Sequence, residues 1–342
     1  RVFSILTYPI QISHNIIIIF FKLCLVERKN ILYVNNGGYP ASRNALIAVL
    51  LGRLSGFNSI FLSCNNVPQR RSRFYPLSLI QKFIDRKIDL CTTNVIVASD
   101  HNRENLVNYR DFSSKKIIVL PNGVDESRFD KNKVLSSREK EYFSDSIINF
   151  GIIGVHEERK GHAFLLEAIE NIKQNGYEDF KLLIEGKGDL TEDLIAYVRL
   201  YELEDVVEFV NDKDISSIYM NIDVLLVPSL HSEDLPNVIS EAMLFGIPSV
   251  GSDLAGIPFQ IDNESNGLIF EVGNLNSLTS SIRKILDNKD LLYQYKINCV
   301  TRYKSHFSSD IYLHNLKKLL GVKNEELLQW FFSRRHYITS KI

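Results

Sequence analysis

The fold is decided by the stretch Ser229-Leu-His-Ser-Glu-Asp-Leu-Pro-Asn-Val-Ile-Ser-Glu-Ala-Met-Leu-Phe-Gly-Ile-Pro-Ser-Val-Gly-Ser252 and by the apolar run before it, Asp223-Val-Leu-Leu-Val-Pro228. A short, continuous apolar run is typical of a strand buried in a parallel sheet. Pro236 suits the first turn of a helix, and Gly246, followed by Ile-Pro, supplies its end. The stretch therefore predicts a strand, a loop and a helix in succession.

Two glutamates occupy different places on this predicted helix, Glu233 just before it and Glu241 inside it. A helix N-terminus offers unpaired backbone N–H groups and the positive end of its dipole to an anion. A diphosphate would fit there, with Glu241 accepting hydrogen bonds from a ribose diol and Glu233 holding sugar hydroxyls. An arbitrary pair of glutamates, however, is more often a solvated loop residue and a surface helix residue. Motifs elsewhere in the chain distinguish between these two interpretations.

The chain resembles the retaining glycosyltransferases called group 1 or family 4, of the bacterial polysaccharide type. The resemblance rests on Glu233-Asp-Leu-Pro236, Glu241-Ala-Met243, Gly246-Ile-Pro248, Asn266-Gly-Leu-Ile-Phe270, Pro121-Asn-Gly-Val-Asp125 and Arg159-Lys-Gly161. It covers most of the chain from Ile31 onward. It implies that Glu241 binds the donor ribose, that Glu233 contacts the transferred sugar and that Lys160 binds the diphosphate.

The resemblance also implies the GT-B fold, an α/β architecture with two Rossmann-like doubly wound domains facing each other across a cleft. We expect an acceptor-side domain over residues 1–142, a nucleotide-sugar-binding domain over 143–304, and C-terminal helices over 305–342 that pack back on the first domain. The polar stretch Lys131–Ser144 marks the boundary. The chain begins at Arg1 and passes almost directly into an apolar segment, so the first βα unit is expected to be missing. A fragmentary sequence and a divergent N-terminus would both explain this.

Apolar runs and helix-like segments alternate along the chain, as a parallel α/β sheet demands. The other predicted strands are Ile31–Val34, Ser59–Leu62, Val95–Ala98, Ile117–Leu120, Ile147–Ile153, Lys181–Ile184 and Val206–Val210. The predicted helices include Ala45–Leu54, Gly161–Ile172, Leu291–Tyr303 and Asp310–Leu320. Ligands are expected at the carboxyl ends of the strands.

Length and composition agree with two soluble domains. A chain of 342 residues exceeds the usual size of one core. The net charge of −1 gives no support for nucleic acid as a partner. The four cysteines show no paired spacing, which indicates reduced thiols in a cytoplasmic protein. The apolar run Ile16–Phe21, continued to Val26, is shorter than the roughly 20 residues of a membrane-spanning helix, and we predict a buried helix there.

Further donor-side candidates lie on predicted loops. Gly154 and Lys160 bracket the loop at which the family binds diphosphate, and Arg159 is a second cation beside it. The family usually places an arginine directly after that glycine, where this chain has Val155. Gly186 is expected to support close approach of the nucleotide, although glycines after a strand more often mark a simple turn. The remaining donor-side candidates, at the start of the predicted helix, are Leu235, Asn237 and Val238.

Acceptor-side candidates follow two strands of the first predicted domain. Gly37 and Gly38 lack side chains that would keep a ligand from the backbone, although a plain tight turn fits them equally well. Asn65 lies where many relatives carry a histidine, and it can hydrogen-bond a sugar hydroxyl but cannot act as a general base. His101 and His156 are expected to be structural or surface residues.

The resemblance implies retention of the anomeric configuration. A fixed cation, Lys160, and helix-terminal amides would stabilise the leaving diphosphate, which then accepts the acceptor's proton. Glu233 is expected to position the sugar, because double displacement by retaining glycosidases needs two carboxylates flanking the scissile bond. We expect no metal and no cofactor besides the nucleotide-sugar donor, for which uridine and guanosine both remain open.

Arginines alternate with aromatic residues in Gln69-Arg-Arg-Ser-Arg-Phe-Tyr75, which precedes the amphipathic segment Leu77–Lys87. Such a segment can lie on an anionic membrane surface, although an ordinary solvated helix face would have a similar composition. Membrane contact would suit a lipid-linked acceptor and a peripheral location on the inner face of the cell membrane.

The sequence thus predicts a retaining hexosyltransferase. It would move a sugar from a nucleoside-diphosphate donor to a lipid-linked or polysaccharide acceptor in cell-envelope glycan synthesis. Two alternatives stay open: an inactive nucleotide-sugar-binding subunit, and a sugar-nucleotide epimerase or hydrolase of the same fold.

Overall fold

Two parallel β-sheets organise this α/β protein. The computed structural model describes residues 15–25, 31–40, 42–141, 147–212 and 214–322. By their contacts the described residues divide into two compact units, those within Arg1–Pro121 and Leu313–Ile342, and those within Asn122–Tyr312. Within the described part, no helix combines the length and the apolar character that crossing a bilayer requires.

The first unit contains a four-stranded parallel sheet in the order β1-β2-β3-β4. Its strands are β1 (Ile31–Asn36), β2 (Ser59–Cys64), β3 (Asn94–Val97) and β4 (Ile117–Val119). Its helices are α1 (15–24), α2 (Arg43–Leu54), α3 (Tyr75–Cys91) and α4 (Asp100–Arg110). One helix connects each pair of neighbouring strands, as parallel pairing requires.

The second unit contains a six-stranded parallel sheet in the order β10-β9-β8-β5-β6-β7. Its strands are β5 (Ile148–Ile153), β6 (Phe180–Glu185), β7 (Val207–Val210), β8 (Val224–Val227), β9 (Ser249–Ser252) and β10 (Gly267–Phe270). The helices that follow the first unit are α5 (Lys131–Glu139), α6 (His162–Gln174), α7 (Thr191–Leu200), α8 (Ile215–Asn221), α9 (Asn237–Phe245), α10 (Ile257–Gln260), α11 (Leu275–Asp287), α12 (Asp290–Arg302) and α13 (Ser309–Leu320). The strand order reverses between β5 and β8, and this switch point is where doubly wound sheets bind ligands.

Each unit has its own apolar core. In the second unit Phe150, Leu182 and Leu226 are almost fully buried. Because a parallel sheet is covered on both faces, β8 is apolar throughout. Gly151 in β5 lets Ile222 approach, since a Cβ atom there would lie 2.6 Å from Ile222 Cγ2. The strands predicted from apolar runs are all present, with ends shifted by one or two residues.

The stretch predicted as a domain boundary contains helix α5. Ser137 Oγ on this helix donates to the Phe245 carbonyl oxygen at 3.0 Å, and Arg138 Nε donates to that of Leu244 at 2.7 Å. These bonds attach α5 to the second unit, so the division by contacts falls at Pro121, whereas the predicted boundary was at residue 142. At the other end, the described part of α13 from Leu313 onward groups with the first unit.

Three further expectations concern the chain ends and one helix start. The predicted absence of a first βα unit concerns residues 1–14, and part of the predicted C-terminal helices falls on residues 323–342; both lie outside the described residues. The run at residues 16–21 is helical, but the expectation that it is buried is wrong, because Ile17 and Phe21 are more than half exposed. Pro236 caps α9 instead of occupying its first turn.

Candidate functional site

The loops after β5 and β8 lie side by side at the switch point of the second sheet. The Leu230 N–H group donates to the Arg159 carbonyl oxygen at 2.9 Å. Gly161 has a φ of +74°, and a Cβ atom there would lie 2.0 Å from the Pro228 carbonyl oxygen. Only glycine combines this backbone conformation with so close an approach. The Arg159-Lys-Gly161 motif therefore joins the two loops.

This junction brings Lys160 and Glu233 together. Lys160 Nζ donates to Glu233 Oε2 at 2.5 Å, and the Ser229 hydroxyl donates to the same oxygen at 3.2 Å. Arg159 Nη1 lies 3.5 Å from it, while Arg159 Nε donates to Glu157 at 2.7 Å. The Lys160 and Glu233 side chains are 18% and 12% exposed, so the pair is reachable from solvent but largely buried. The junction thus offers cations for phosphate oxygens beside a carboxylate for hydroxyl groups.

Glu241 lies in α9 and is nearly buried, with both carboxylate oxygens already engaged. Arg128 Nη1 donates to Oε1 at 3.1 Å, and the Tyr219 hydroxyl donates to Oε2 at 2.8 Å. Tyr219 is stacked on Phe245, with ring centroids 5.0 Å apart. Burial and the adjacent Glu241 carboxylate raise the pKa of Tyr219 well above its usual range, so the phenol stays protonated and donates. Tyr219 therefore fixes the orientation of the Glu241 carboxylate.

Arg128 and Tyr219 were not identified from the sequence. They contact Glu241 from 113 and 22 residues away along the chain. Arg128 lies in a short 3₁₀ turn, and Tyr219 lies in α8 among residues of ordinary helical composition. A contact of this separation leaves no local pattern, although Arg128 follows the Pro121–Asp125 motif closely.

The N-terminus of α9 lies between the two glutamates. Its N-cap, Pro236, has no side chain that could bond the first amides of the helix, so these are available to another acceptor. Leu235 is buried, Asn237 is exposed and Val238 is intermediate. Asn122, from the Pro121–Asp125 motif, approaches this turn, with 3.5 Å between its Nδ2 and Asn237 Oδ1.

The loops after β5 and β6 are also interlocked. Gly186 has a φ of +135°, and a Cβ atom there would lie 1.9 Å from the Gly154 carbonyl oxygen. The Gly154 N–H group donates to the Glu185 carbonyl oxygen at 3.0 Å. Beside Gly154 there is space, because a Cβ atom built on it would meet only the Lys160 stem, at 3.9 Å. Gly186 therefore shapes the loop in which Gly154 and Lys160 lie.

Two buried histidines support this loop. His156 is fully buried, as expected of a structural residue, and its Nδ1 lies 2.9 Å from the Thr191 hydroxyl. Burial lowers its pKa. Its ring packs against that of His162, 4.8 Å away. Burial, with smaller contributions from His156 and Lys160, lowers the pKa of His162 to about 3. Both rings are therefore neutral at physiological pH.

The acceptor-side candidates lie in the first unit. Gly37 and Gly38 follow β1, and Asn65 follows β2. The Asn65 side chain donates to Asn35 Oδ1 at 2.9 Å, and its backbone N–H donates to the Asn36 carbonyl oxygen at 3.3 Å. A Cβ atom on Gly37 would meet no atom within 4 Å. The structure thus places Asn65 against the end of β1, directly before the two glycines.

Two other positions bear on the expected chemistry. Val155, in the place of the usual arginine, points partly into solvent, with 47% exposure. Asp212-Lys-Asp214 has the Asp-x-Asp spacing of some metal sites, but the Asp214 side chain accepts from Ser216 N at the start of α8 and pairs with Lys133 Nζ at 2.6 Å. Within the described part of the chain, no group of three or more potential metal ligands occurs.

The chain is similar in sequence and in fold to known glycosyltransferases. Residues 146–288 match the family model described as "Glycosyl transferases group 1". The chain is 24% identical over 303 residues to the UDP-Gal:α-D-GlcNAc-diphosphoundecaprenol α-1,3-galactosyltransferase of Escherichia coli, covering 85% of this chain and 75% of that protein. It is 25% identical over 319 residues to the capsular polysaccharide biosynthesis glycosyltransferase CapM of Staphylococcus aureus, covering 87% and 79%.

Among solved structures, Anabaena HepE in complex with UDP superposes with a TM-score of 0.72 at 15% identity, covering 90% of this chain and 81% of HepE. This likeness shows the fold, and it confirms the predicted α/β class with two Rossmann-like units of the GT-B type. The chain is thus similar in part of its sequence to group 1 glycosyltransferases, and it has the GT-B fold.

Proposed function

We propose that the protein is a retaining glycosyltransferase. It transfers a hexose-type sugar from a nucleoside-diphosphate donor to a lipid-linked or polysaccharide acceptor in cell-envelope glycan synthesis. The observation that carries the proposal is the pairing of Lys160 with Glu233 at the switch point, next to the uncapped start of α9 and to the preoriented Glu241. These groups match the charges of a diphosphate, the hydroxyls of a sugar and the diol of a ribose.

Donor binding divides among three parts of the site. Glu241 accepts hydrogen bonds from the ribose, on the oxygen that Arg128 now occupies. Lys160, Arg159 and the amides of Asn237 and Val238 hold the diphosphate, since cations and helix N-termini both favour phosphate oxygens. Gly154 and Gly186 keep the neighbouring loop open, and Leu235 supports the start of the helix. The UDP complex of HepE favours uridine as the base.

The chemistry depends on Lys160 and on the α9 amides. They stabilise negative charge on the departing diphosphate, an electrostatic contribution that is already in place before reaction. Glu233 accepts from Lys160 and Ser229, and these contacts hold its carboxylate in place to accept hydrogen bonds from sugar hydroxyls. The acceptor hydroxyl oxygen bonds to the anomeric carbon on the face from which the diphosphate departs, and the leaving phosphate takes the hydroxyl proton. The configuration at the anomeric carbon is thereby retained. Under this proposal the diphosphate charge is met by protein groups and no metal is needed.

On the acceptor side, Gly37, Gly38 and Asn65 border the acceptor or the transferred sugar. The E. coli relative acts on an undecaprenol-linked diphosphate, and CapM serves capsular polysaccharide synthesis. A lipid-linked acceptor would place this protein in the cytoplasm, peripheral to the inner face of the cell membrane.

The test measures nucleoside diphosphate released from a panel of UDP- and GDP-sugars, with and without a lipid extract. We expect release from one donor that depends on the extract. Lys160→Ala should lower it at least about 100-fold, the scale for loss of one charge-stabilising group. Glu241→Ala should lower it at least about tenfold, the scale for loss of a hydrogen bond to a charged group. Glu204→Ala and Lys115→Ala are matched controls, because both residues are exposed and lie outside the loops and helices that contain the site residues. Nucleotide binding without any turnover, or an equal loss in the controls, would refute the proposal.

A further inference from the structure

Helix α3 of the first unit exposes most of its large apolar side chains and buries a charged one, the reverse of the usual arrangement. Of its 17 residues only Asp85 and Ile88 are buried. The helix nevertheless contains many apolar residues, and large hydrophobic side chains in α3 are exposed at Tyr75, Leu77, Leu79, Ile80, Phe83, Ile84 and Leu90. A helix on a globular protein normally turns its apolar stripe toward the core. Here the apolar side chains point outward.

A buried charge network, together with the buried side chain of Ile88, explains how α3 is held with most of its large apolar side chains outward. Asp85 is 2% exposed and accepts from Arg71 Nε at 2.8 Å and from the Tyr39 hydroxyl at 2.8 Å. Arg110 Nη1 lies 3.4 Å from the same carboxylate, and Arg110 Nε donates to the Gln69 carbonyl oxygen at 2.7 Å. A buried carboxylate with several partners strongly specifies orientation, because breaking the network leaves a buried charge unpaired. The helix is therefore fixed with its apolar side outward.

The outward face has a compact apolar centre. Leu79, Phe83 and Leu90 are spaced four and seven residues apart, so they lie on one side of the helix. They are 49%, 62% and 60% exposed, and Ile80 beside them is 57% exposed. Their number and contiguity differ from the single exposed apolar residues that are normal on a protein surface. We therefore expect this face to contact an apolar partner.

The charged residues on and near the outward face of α3 indicate which class of partner binds this face. Arg86 and Lys87 are exposed and lie three and four residues after Phe83, so both neighbour it on the outward face, and Lys87 Nζ lies 5.4 Å from the centre of the Phe83 ring. Arg73 is exposed just before the helix, and Lys82 Nζ lies 3.6 Å from Asp111, which offsets its charge. The whole chain carries a net charge of only −1, so these cations are a local feature. Apolar residues flanked by cations match an anionic lipid surface, whereas a second copy would place cations against cations.

We propose that α3 docks the protein on an anionic bilayer. Leu79, Ile80, Phe83 and Leu90 enter the boundary between headgroups and acyl chains, and Arg86 and Lys87 contact lipid phosphates. This inference deepens the proposed function by naming the face that meets the membrane. It rests on the proposed function in one respect, because the proposed lipid-linked acceptor is what brings the protein to a membrane.

The experiment is co-sedimentation of the full chain with vesicles of phosphatidylcholine, with and without phosphatidylglycerol. We expect binding only to the anionic vesicles, and weaker binding as salt screens the cations. Leu79→Ser/Phe83→Ser should lower the partition coefficient at least about tenfold, since two large apolar side chains no longer leave water. Arg86→Gln/Lys87→Gln should lower it on the order of 30-fold.

The matched control is Leu200→Ser/Tyr293→Ser, which removes a leucine and an aromatic residue that are 74% and 62% exposed in the second unit. It should bind vesicles like the native chain. Absence of native binding to anionic vesicles, or equal losses in the control, would overturn the proposal. A dimer in solution that Leu79→Ser/Phe83→Ser dissociates, without vesicle binding, would overturn it in favour of a second copy on this face.

Failure of docking and failure of the proposed function are separable. The α3 variants should bind UDP with native affinity, because α3 lies in the first unit and the donor site in the second. Glu241→Ala should lose UDP affinity and keep native vesicle binding. Unchanged thermal unfolding of the α3 variants would exclude misfolding as the cause of lost binding, since the replaced side chains are already exposed.

Discussion

At the scale of single residues, Glu241 shows how the site is prepared for a ligand. Its two oxygens are held by Tyr219, which is buried, and by Arg128, whose side chain is 53% exposed. The buried partner fixes the orientation, and the exposed partner can be displaced. Glu241 therefore needs little reorganisation to accept a ribose diol.

Replacing Tyr219 by phenylalanine tests this preorganisation. Tyr219→Phe removes a hydrogen bond to a charged group, so we expect the dissociation constant for UDP to rise about tenfold. Tyr197→Phe is the matched control, because Tyr197 donates to Glu170 at 2.7 Å in a tyrosine–glutamate pair between α7 and α6. Calorimetric titration measures both. Equal effects in the two variants would mean that Tyr219 acts through stability alone.

Arg128 should have the opposite effect. Arg128→Ala frees Glu241 Oε1. Because the Arg128 end of this ion pair is half exposed, we take the pair to be worth about 1 kcal/mol, so UDP should bind about fivefold more tightly. The same titration checks this. Weaker binding in the variant would show that Arg128 contacts the nucleotide itself and does not compete with it.

The free energy of unfolding depends on pH through His162, which directly follows the Arg159-Lys-Gly161 motif. Its pKa is lowered to about 3 in the fold, against about 6.5 when unfolded. Between these values the unfolded chain binds a proton that the native chain does not, so the free energy of unfolding falls as pH decreases from about 6.5 toward about 3. We expect His162→Asn to reduce this slope by about 1.4 kcal/mol per pH unit. Urea unfolding over this range measures it, and an unchanged slope would contradict the assignment.

At the scale of elements, the junction of the β5 and β8 loops depends on Gly161. Gly161→Ala places a side chain in a left-handed conformation and against the Pro228 carbonyl oxygen, so we expect a loss of at least about 2 kcal/mol in the free energy of unfolding. Gly176→Ala is the control, because Gly176 has a φ of +86° and open space around it. Equal losses in chemical denaturation would show that backbone strain alone matters and that the close approach does not.

The elements also show which parts of the fold the sequence could predict. β8 and α9 have strong local signals, an apolar run followed by Pro236 and then Gly246. The polar stretch containing α5 has none, because the helix is held by bonds from Ser137 and Arg138 to carbonyl oxygens of α9 and not by an apolar stripe of its own. Helix α3 was predicted as amphipathic, but only the structure shows Asp85 on its inner face.

At the scale of the whole molecule, the two units have separate cores and separate sheets. Glu233 and Glu241 could be assigned from motif spacing because both lie within one strand–loop–helix segment. Their partners Lys160, Arg128 and Tyr219 come from three other parts of the second unit, and only Lys160 belongs to a recognisable motif. The sequence therefore predicted the proposed donor-binding residues Glu233, Glu241 and Lys160. It did not predict Arg128 and Tyr219, which hold the Glu241 carboxylate.

The proposed function requires that the protein transfer a sugar from donor to acceptor. This transfer is tested by following the sugar itself. The native chain is incubated with a labelled nucleotide sugar and a lipid extract, and the label is then located. We expect it in lipid-extractable material, with Glu241→Ala giving little and Glu204→Ala the native amount. Label recovered as free sugar or as an epimerised nucleotide sugar would contradict sugar transfer to an acceptor. Label that stays on an unreacted, bound donor would also contradict it and would indicate a binding subunit.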